Sequence, residues 1–141
     1  VTWVQRDSVN KLGDLFTAKS SDGGQKFTTD QIPISENQIH DAANLDTFAY
    51  QNKLFTSFEG SLIIPGFNNS KGTESTFNKE IFLFMRDYNQ TGEYTFYNLS
   101  LNSGISECPS ITINSVDNIV SVSWEDYTPG NHEIFMRSIN Y

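Results

Sequence analysis

Three stretches of the chain repeat one another, and their spacing narrows the choice of fold more than anything else in the sequence. VTWVQRD with GDLFTAKS, LFTSFEG with KEIFLFMRD, and VSVSWED with HEIFMRS share one pattern: an alternating apolar run ending in an aromatic and an acid, a polar loop, and a second run carrying a hydrophobe-Phe pair. Alternation with a period of two marks a half-buried strand, so each pair predicts a hairpin. From Phe16 to Phe58 (58 − 16) and from Phe82 to Trp124 (124 − 82) the distance is the same, 42 residues. Inside the hairpins it varies, being 13 residues from Trp3 to Phe16, 24 from Phe58 to Phe82 and 11 from Trp124 to Phe135. Stacked supersecondary units produce such a constant scaffold with one variable loop, because insertions are tolerated where they disturb no neighbour.

The constant part has room for two more strands. Phe27 to Ile34 and Ala43 to Tyr50 supply them after the first hairpin, Tyr94 to Leu101 and Ser110 to Ile113 after the second, with Asp22-Gly23-Gly24 and Thr91-Gly92 as turns. Four strands per repeat of about 45 residues predict an all-β fold, a partial β-propeller of about three four-stranded antiparallel blades. The blade parts divide at 1–42, 43–109 and 110–141. No segment has a helical period, and the 13% aromatic content with abundant Ser, Thr and Asn suits strands. Propellers close with four to eight blades, so this reading expects either a piece of a longer polypeptide or a protomer that completes a ring with copies of itself. Trp3, Phe58 and Trp124 hold one equivalent position and are assigned to the packing between blades.

Ser20-Ser21-Asp22-Gly23-Gly24-Gln25-Lys26-Phe27 resembles the Asp-box, S-x-D-x-G-x-T-W/F, of sialidase-like propellers (BNR repeats), with Lys26 in place of Thr. Trp124-Glu125-Asp126 through Phe135 is similar to the strand pair that precedes such a box. Around Gly92 the box is degenerate, with Tyr88 and Gln90 where Ser and Asp belong, and at Ser138 a third box would begin. The resemblance gives Ser20, Asp22, Gly24 and Phe27 a structural role: Asp22 accepts bonds from nearby backbone N–H groups, Gly24 permits the turn, and Phe27 tucks beneath it. It places this box between the third and fourth strands of a blade, away from the ligand face. Sialidases of this fold use an arginine cluster, a Tyr–Glu nucleophile pair and an acidic proton donor. Here only Arg6, Arg86 and Arg137 are present, without an Arg-Ile-Pro motif, and no catalytic residue is assigned.

Seventeen acidic and nine basic residues give a formal charge of −8, the wrong sign for nucleic acid or an anionic membrane. No apolar run reaches the 18 or so residues of a membrane span. The expected ligand face carries the variable loops, the longest from Gly60 to Lys79, with Asp7, Asp14, Glu59, Glu80, Glu125, Asp126 and Glu133 as a candidate rim for sugar hydroxyls or a cation. Asp87, Asn89 and Thr91, followed by Gly92, fit the opening of a calcium loop, but Asn98 stands where a bidentate Glu belongs and no helices flank it. No other cofactor is expected. His40 and His132 have no ligand-spaced partners, and the single Cys108 forms no internal disulfide. Asn68, Asn89 and Asn98 each open an N-x-S/T triplet. Together with the acidity these predict an extracellular or cell-surface glycoprotein. The expected function is non-catalytic recognition of carbohydrate or protein, or surface assembly. The alternatives are a glycoside hydrolase with catalytic residues partly on blades outside this chain, or a purely structural subunit.

Overall fold

A computed structural model describes residues 1–6, 13–34, 36, 39–62, 79–90, 93–128 and 130–141. It is all-β. Ten strands follow in chain order among the described residues: β1 (Thr2–Arg6), β2 (Gly13–Lys19), β3 (Thr28–Ile32), β4 (Ile39–Tyr50), β5 (Lys53–Leu62), β6 (Lys79–Asp87), β7 (Tyr94–Asn98), β8 (Ser106–Asn114), β9 (Ile119–Asp126) and β10 (Glu133–Asn140). They form three antiparallel sheets in sequence order, β1-β2-β3, β4-β5-β6-β7 and β8-β9-β10. Among the described residues no helix is long and apolar enough to cross a membrane.

The aligned aromatics are register partners in each sheet: Trp3 with Phe16, Phe58 with Phe82, and Trp124 with Phe135. Their rings stack with centroids 5.6, 5.6 and 6.2 Å apart. The repeat in the sequence is therefore a repeat of register.

The sheets pack face to face with the four-stranded one in the middle. Side chains alternate across a strand, so the middle sheet buries both faces. Leu54, Phe58, Phe82 and Phe84 pack with Leu15 and Ile32 of the first sheet and with Ile34 just beyond it. Phe55, Ile81 and Leu83 pack with Val120, Val122 and Trp124 of the third. β5 accordingly has a nearly continuous buried run from Leu54 to Gly60. Phe58 and Trp124 are core, as their shared position predicts, whereas Trp3 is only half-buried. Each aromatic pair faces the sheet that precedes it; Val4 and Leu15 turn toward the middle sheet, so the Trp3–Phe16 pair faces outward. On the opposite outer face, Ile134 and Met136 occupy the places that Ile81 and Leu83 fill in the middle sheet, yet are 73% and 69% exposed.

Strands β4 and β8 begin at Ile39 and Ser106, four residues before the divisions expected at 43 and 110. Both starts contain β-bulges, between His40, Ala43 and Asp46 and between Glu107 and Ser110. Asp41, Asn44 and Cys108 take positive φ there, at 53°, 41° and 54°. A bulge inserts an unpaired residue and interrupts the alternation by which strands are recognised.

Candidate functional site

The C-terminal ends of β1, β5 and β9, where the loops begin, lie at one end of the stacked sheets, and the turns after β2 and β4 with the C-terminal end of β6 lie at the other. At the loop end, Glu59 is buried and held by three donors: Asn44 Nδ2 at 2.6 Å, the Cys108 backbone N–H at 2.8 Å and Lys79 Nζ at 3.3 Å. Lys79 also reaches Glu107 Oε1 at 2.6 Å, tying β6 to β8. The hydrogen bond that Lys79 donates to Glu107 and the charge of Glu59 raise the Lys79 pKa against the cost of its partial burial. Glu80 is buried too and accepts a hydrogen bond from Ser100 Oγ, which itself accepts from the Ile81 N–H.

Asp126 is the most enclosed acid of this end. Its Oδ2 accepts from Trp124 Nε1 at 3.0 Å, Ser106 Oγ at 2.9 Å and Asn102 Nδ2 at 2.6 Å, and its Oδ1 from the Thr128 N–H at 2.8 Å. Burial works to raise its pKa, but hydrogen bonds from Thr128, Trp124 and Ser106 outweigh it and bring the carboxyl down to about 2. Opposite Asp126 in the register stands the exposed Glu133, bonded to Asn131 Nδ2 at 3.2 Å; Glu125 is partly exposed, with His132 3.8 Å away.

The expected acidic rim is thus corrected in part. Glu59, Glu80 and Asp126 are not surface groups awaiting a ligand; they are buried acceptors that satisfy donors of neighbouring strands, as buried carboxylates must. Glu125 and Glu133 remain accessible, Asp14 is half-buried, and Asp7 lies outside the described residues. So do residues 63–78 of the long loop, including Asn68.

At the turn end, the Asp-box segment joins β2 to β3. Asp22 Oδ1 accepts from the Gln25 N–H at 3.0 Å, the Lys26 N–H at 2.9 Å and Ser20 Oγ at 2.9 Å, while Ser20 Oγ accepts from the Gly24 N–H at 2.8 Å. The Lys26 backbone bond is the main cause of a lowered Asp22 pKa. Position 26 contributes its main chain, so Lys can stand where Thr is usual. Gly23 and Gly24 have φ of 72° and 91°, which side-chain-bearing residues rarely adopt. Phe27 departs from expectation. It is 55% exposed because it leads into β3, the outer edge of its sheet, whose first four residues are exposed as well.

In the equivalent turn after β6, Asp87 Oδ1 accepts the Asn89 N–H at 2.9 Å and Asn89 Oδ1 accepts from Asn52 Nδ2 at 3.3 Å. The oxygens proposed for calcium therefore already have protein donors; Thr91 lies outside the described residues. Groups of three or more potential metal-binding His, Cys, Asp or Glu are absent among the described residues. β10 runs through Ser138, which pairs with Ser121 rather than opening a turn. Asn89 is exposed, whereas Asn98 is half-buried in β7 and the Ser100 hydroxyl of its triplet is engaged internally.

Sequence reasoning missed the carboxylates that join one sheet to the next. Asp46 Oδ2 accepts the Ile111 N–H at 2.9 Å and Ser110 Oγ at 3.2 Å from β8, and Asp41 Oδ1 accepts from Arg6 at 2.5 Å and the Gly13 N–H at 3.3 Å. The one local signal was an Asp or Asn at strand positions where a left-handed residue would be needed.

No family model matches the chain, and neither the curated proteins nor the solved structures contain a match to it.

Proposed function

We propose that the three sheets are consecutive blades of a sialidase-like β-propeller and that the chain is a non-catalytic recognition module of an extracellular or cell-surface protein, binding carbohydrate or protein at its loop end. The observation that carries this reading is the turn between β2 and β3, where one carboxylate collects two backbone N–H groups and a serine hydroxyl beneath two left-handed glycines. The three antiparallel sheets, each of strands consecutive in the chain and stacked face to face, support it, since a propeller blade is such a sheet. In this reading further sheets of the same kind cover the outer faces. Engagement of Glu59, Glu80 and Asp126 in internal bonds favours recognition over hydrolysis, because a general acid or nucleophile must be reachable by substrate.

The test is glycan-array binding by the native protein, run beside release of a fluorogenic sugar from a sialoside. Array binding without turnover is expected. Turnover moves the reading to a glycoside hydrolase completed by residues outside this chain; neither signal leaves a structural subunit.

A further inference from the structure

Six strands stand at sheet edges among the described residues, and an edge offers its row of backbone donors and acceptors to any further strand. Five of the six are blunted. β1, β3 and β7 are only five residues long, and β4 and β8 carry bulges that interrupt their pairing. β10 is the exception. It runs eight residues in unbroken register with β9, contains neither Pro nor Lys, and has seven of its eight residues exposed.

The exposed apolar groups of β10 lie on both of its faces. Ile134 and Met136 point outward, while Phe135, stacked on Trp124, faces the middle sheet and is 40% exposed. Its register equivalent Phe82 is 2% exposed, in a strand that has β7 beside it. A sheet laid on the outer face would cover Ile134 and Met136 and leave Phe135 as it is; a strand added along the edge flanks all three. The charges select the strand. Glu133 and Arg137 share the face of Phe135 and are the only acid and base of β10, so this edge is neutral in a chain of charge −8. Laid antiparallel to a copy of itself about a two-fold axis at Phe135, the strand is self-complementary. Glu133 then stands opposite Arg137 twice, Ile134 opposite Met136 twice, and Phe135 opposite Phe135. Opposite charges and paired aromatics directly across two strands stabilise antiparallel pairing. An axis at Ile134 or Met136 instead sets Phe135 opposite Glu133 or Arg137 and loses both ion pairs. Arg137 gives one nitrogen to the Leu99 carbonyl at 3.2 Å, and a guanidinium carries five N–H groups.

We infer that β10 pairs two copies of this chain edge to edge, joining their third sheets into one sheet of six strands about a two-fold axis. The inference does not rest on a ligand at the loop end, and glycan-array binding by the same samples reads that role separately. Sedimentation equilibrium of the native protein should give twice the mass of one polypeptide. Glu133→Lys and Arg137→Glu, each checked for an unchanged fold by circular dichroism and melting temperature, should each weaken the dimer at least about tenfold, because two attractive pairs become repulsive. Mixed one to one, the two variants should dimerise again, since each then meets the charge it lacks, and the double variant should dimerise alone. If loss of the Leu99 bond unfolds Arg137→Glu, then Glu133→Lys alone decides the point. A monomer at every concentration, a dimer that Glu133→Lys does not weaken, or folded variants that stay monomeric when mixed overturns the inference. A monomer whose edge-facing β10 amides resist hydrogen exchange also overturns it, by giving the edge to a different strand.

Discussion

Asp126 shows how a single carboxylate can look functional in sequence and prove structural in place. An acid following Trp at a strand end faces the loops, and residue type alone does not reveal that Trp124, Ser106, Asn102 and Thr128 all point donors at it. Its pKa of about 2, below the ordinary carboxylate value, makes it a stabilising group whose contribution is present above pH 4 and lost as pH falls toward 2. That contribution is about 2 kcal/mol, so urea midpoints measured from pH 5 down to pH 2 should fall, and Asp126→Asn should flatten this part of the profile. The variant should also be less stable at neutral pH by about 2 kcal/mol, because an amide nitrogen then faces donors. Asp22 was legible to a greater degree, since the spacing of Ser, Asp and Gly specifies a turn whose bonds are local. Asp22→Ala is expected to lower Tm and to leave any ligand binding intact, as read by thermal melts and array binding of the same sample. If glycans are attached in native material, Asn89 is the expected acceptor and Asn98 is not; peptide mass spectrometry distinguishes the two.

At the scale of elements, the hairpins were legible because alternation and a constant spacing fix which residues oppose one another. Trp3, Phe58 and Trp124 could be aligned without coordinates. What alignment could not give was their unequal burial, which depends on whether a neighbouring sheet is present to cover them. The energetic order should follow that difference. Phe58→Ala should cost about 3–5 kcal/mol, the range for a fully buried aromatic, and Trp3→Ala only about 1 kcal/mol, in keeping with a partly exposed site; chemical denaturation of the two variants measures both. The starts of β4 and β8 were illegible for a different reason, since their bulges break the period of two. Within the middle sheet the tolerance is small. A Cβ on Gly60 would come within 2.7 Å of Ile39 Cγ2 and 3.3 Å of the Phe82 ring, so Gly60→Ala should destabilise by about 1–3 kcal/mol through overpacking in the same assay.

For the molecule as a whole, the stack is asymmetric in what it covers. Its middle sheet is enclosed on both sides, and its outer faces present the Trp3–Phe16 pair at one end and Ile134 with Met136 at the other. Exposed apolar groups on an unprotected strand favour association. Sedimentation velocity should therefore show concentration-dependent oligomers for this chain, and Ile134→Lys with Met136→Lys should reduce them. The inter-sheet links share a direction as well. Asp41, Asp46 and Glu59 all belong to β4 and β5, while the backbone N–H groups they accept, those of Gly13, Ile111 and Cys108, belong to the sheets on either side. The middle sheet acts as a spine riveted on both flanks. Under tension applied at the two termini, each outer sheet is held along one face and the spine along two. Force should strip the flanks first and reach β4–β7 last, so that a pulling trace shows the four-stranded sheet as its final, strongest step.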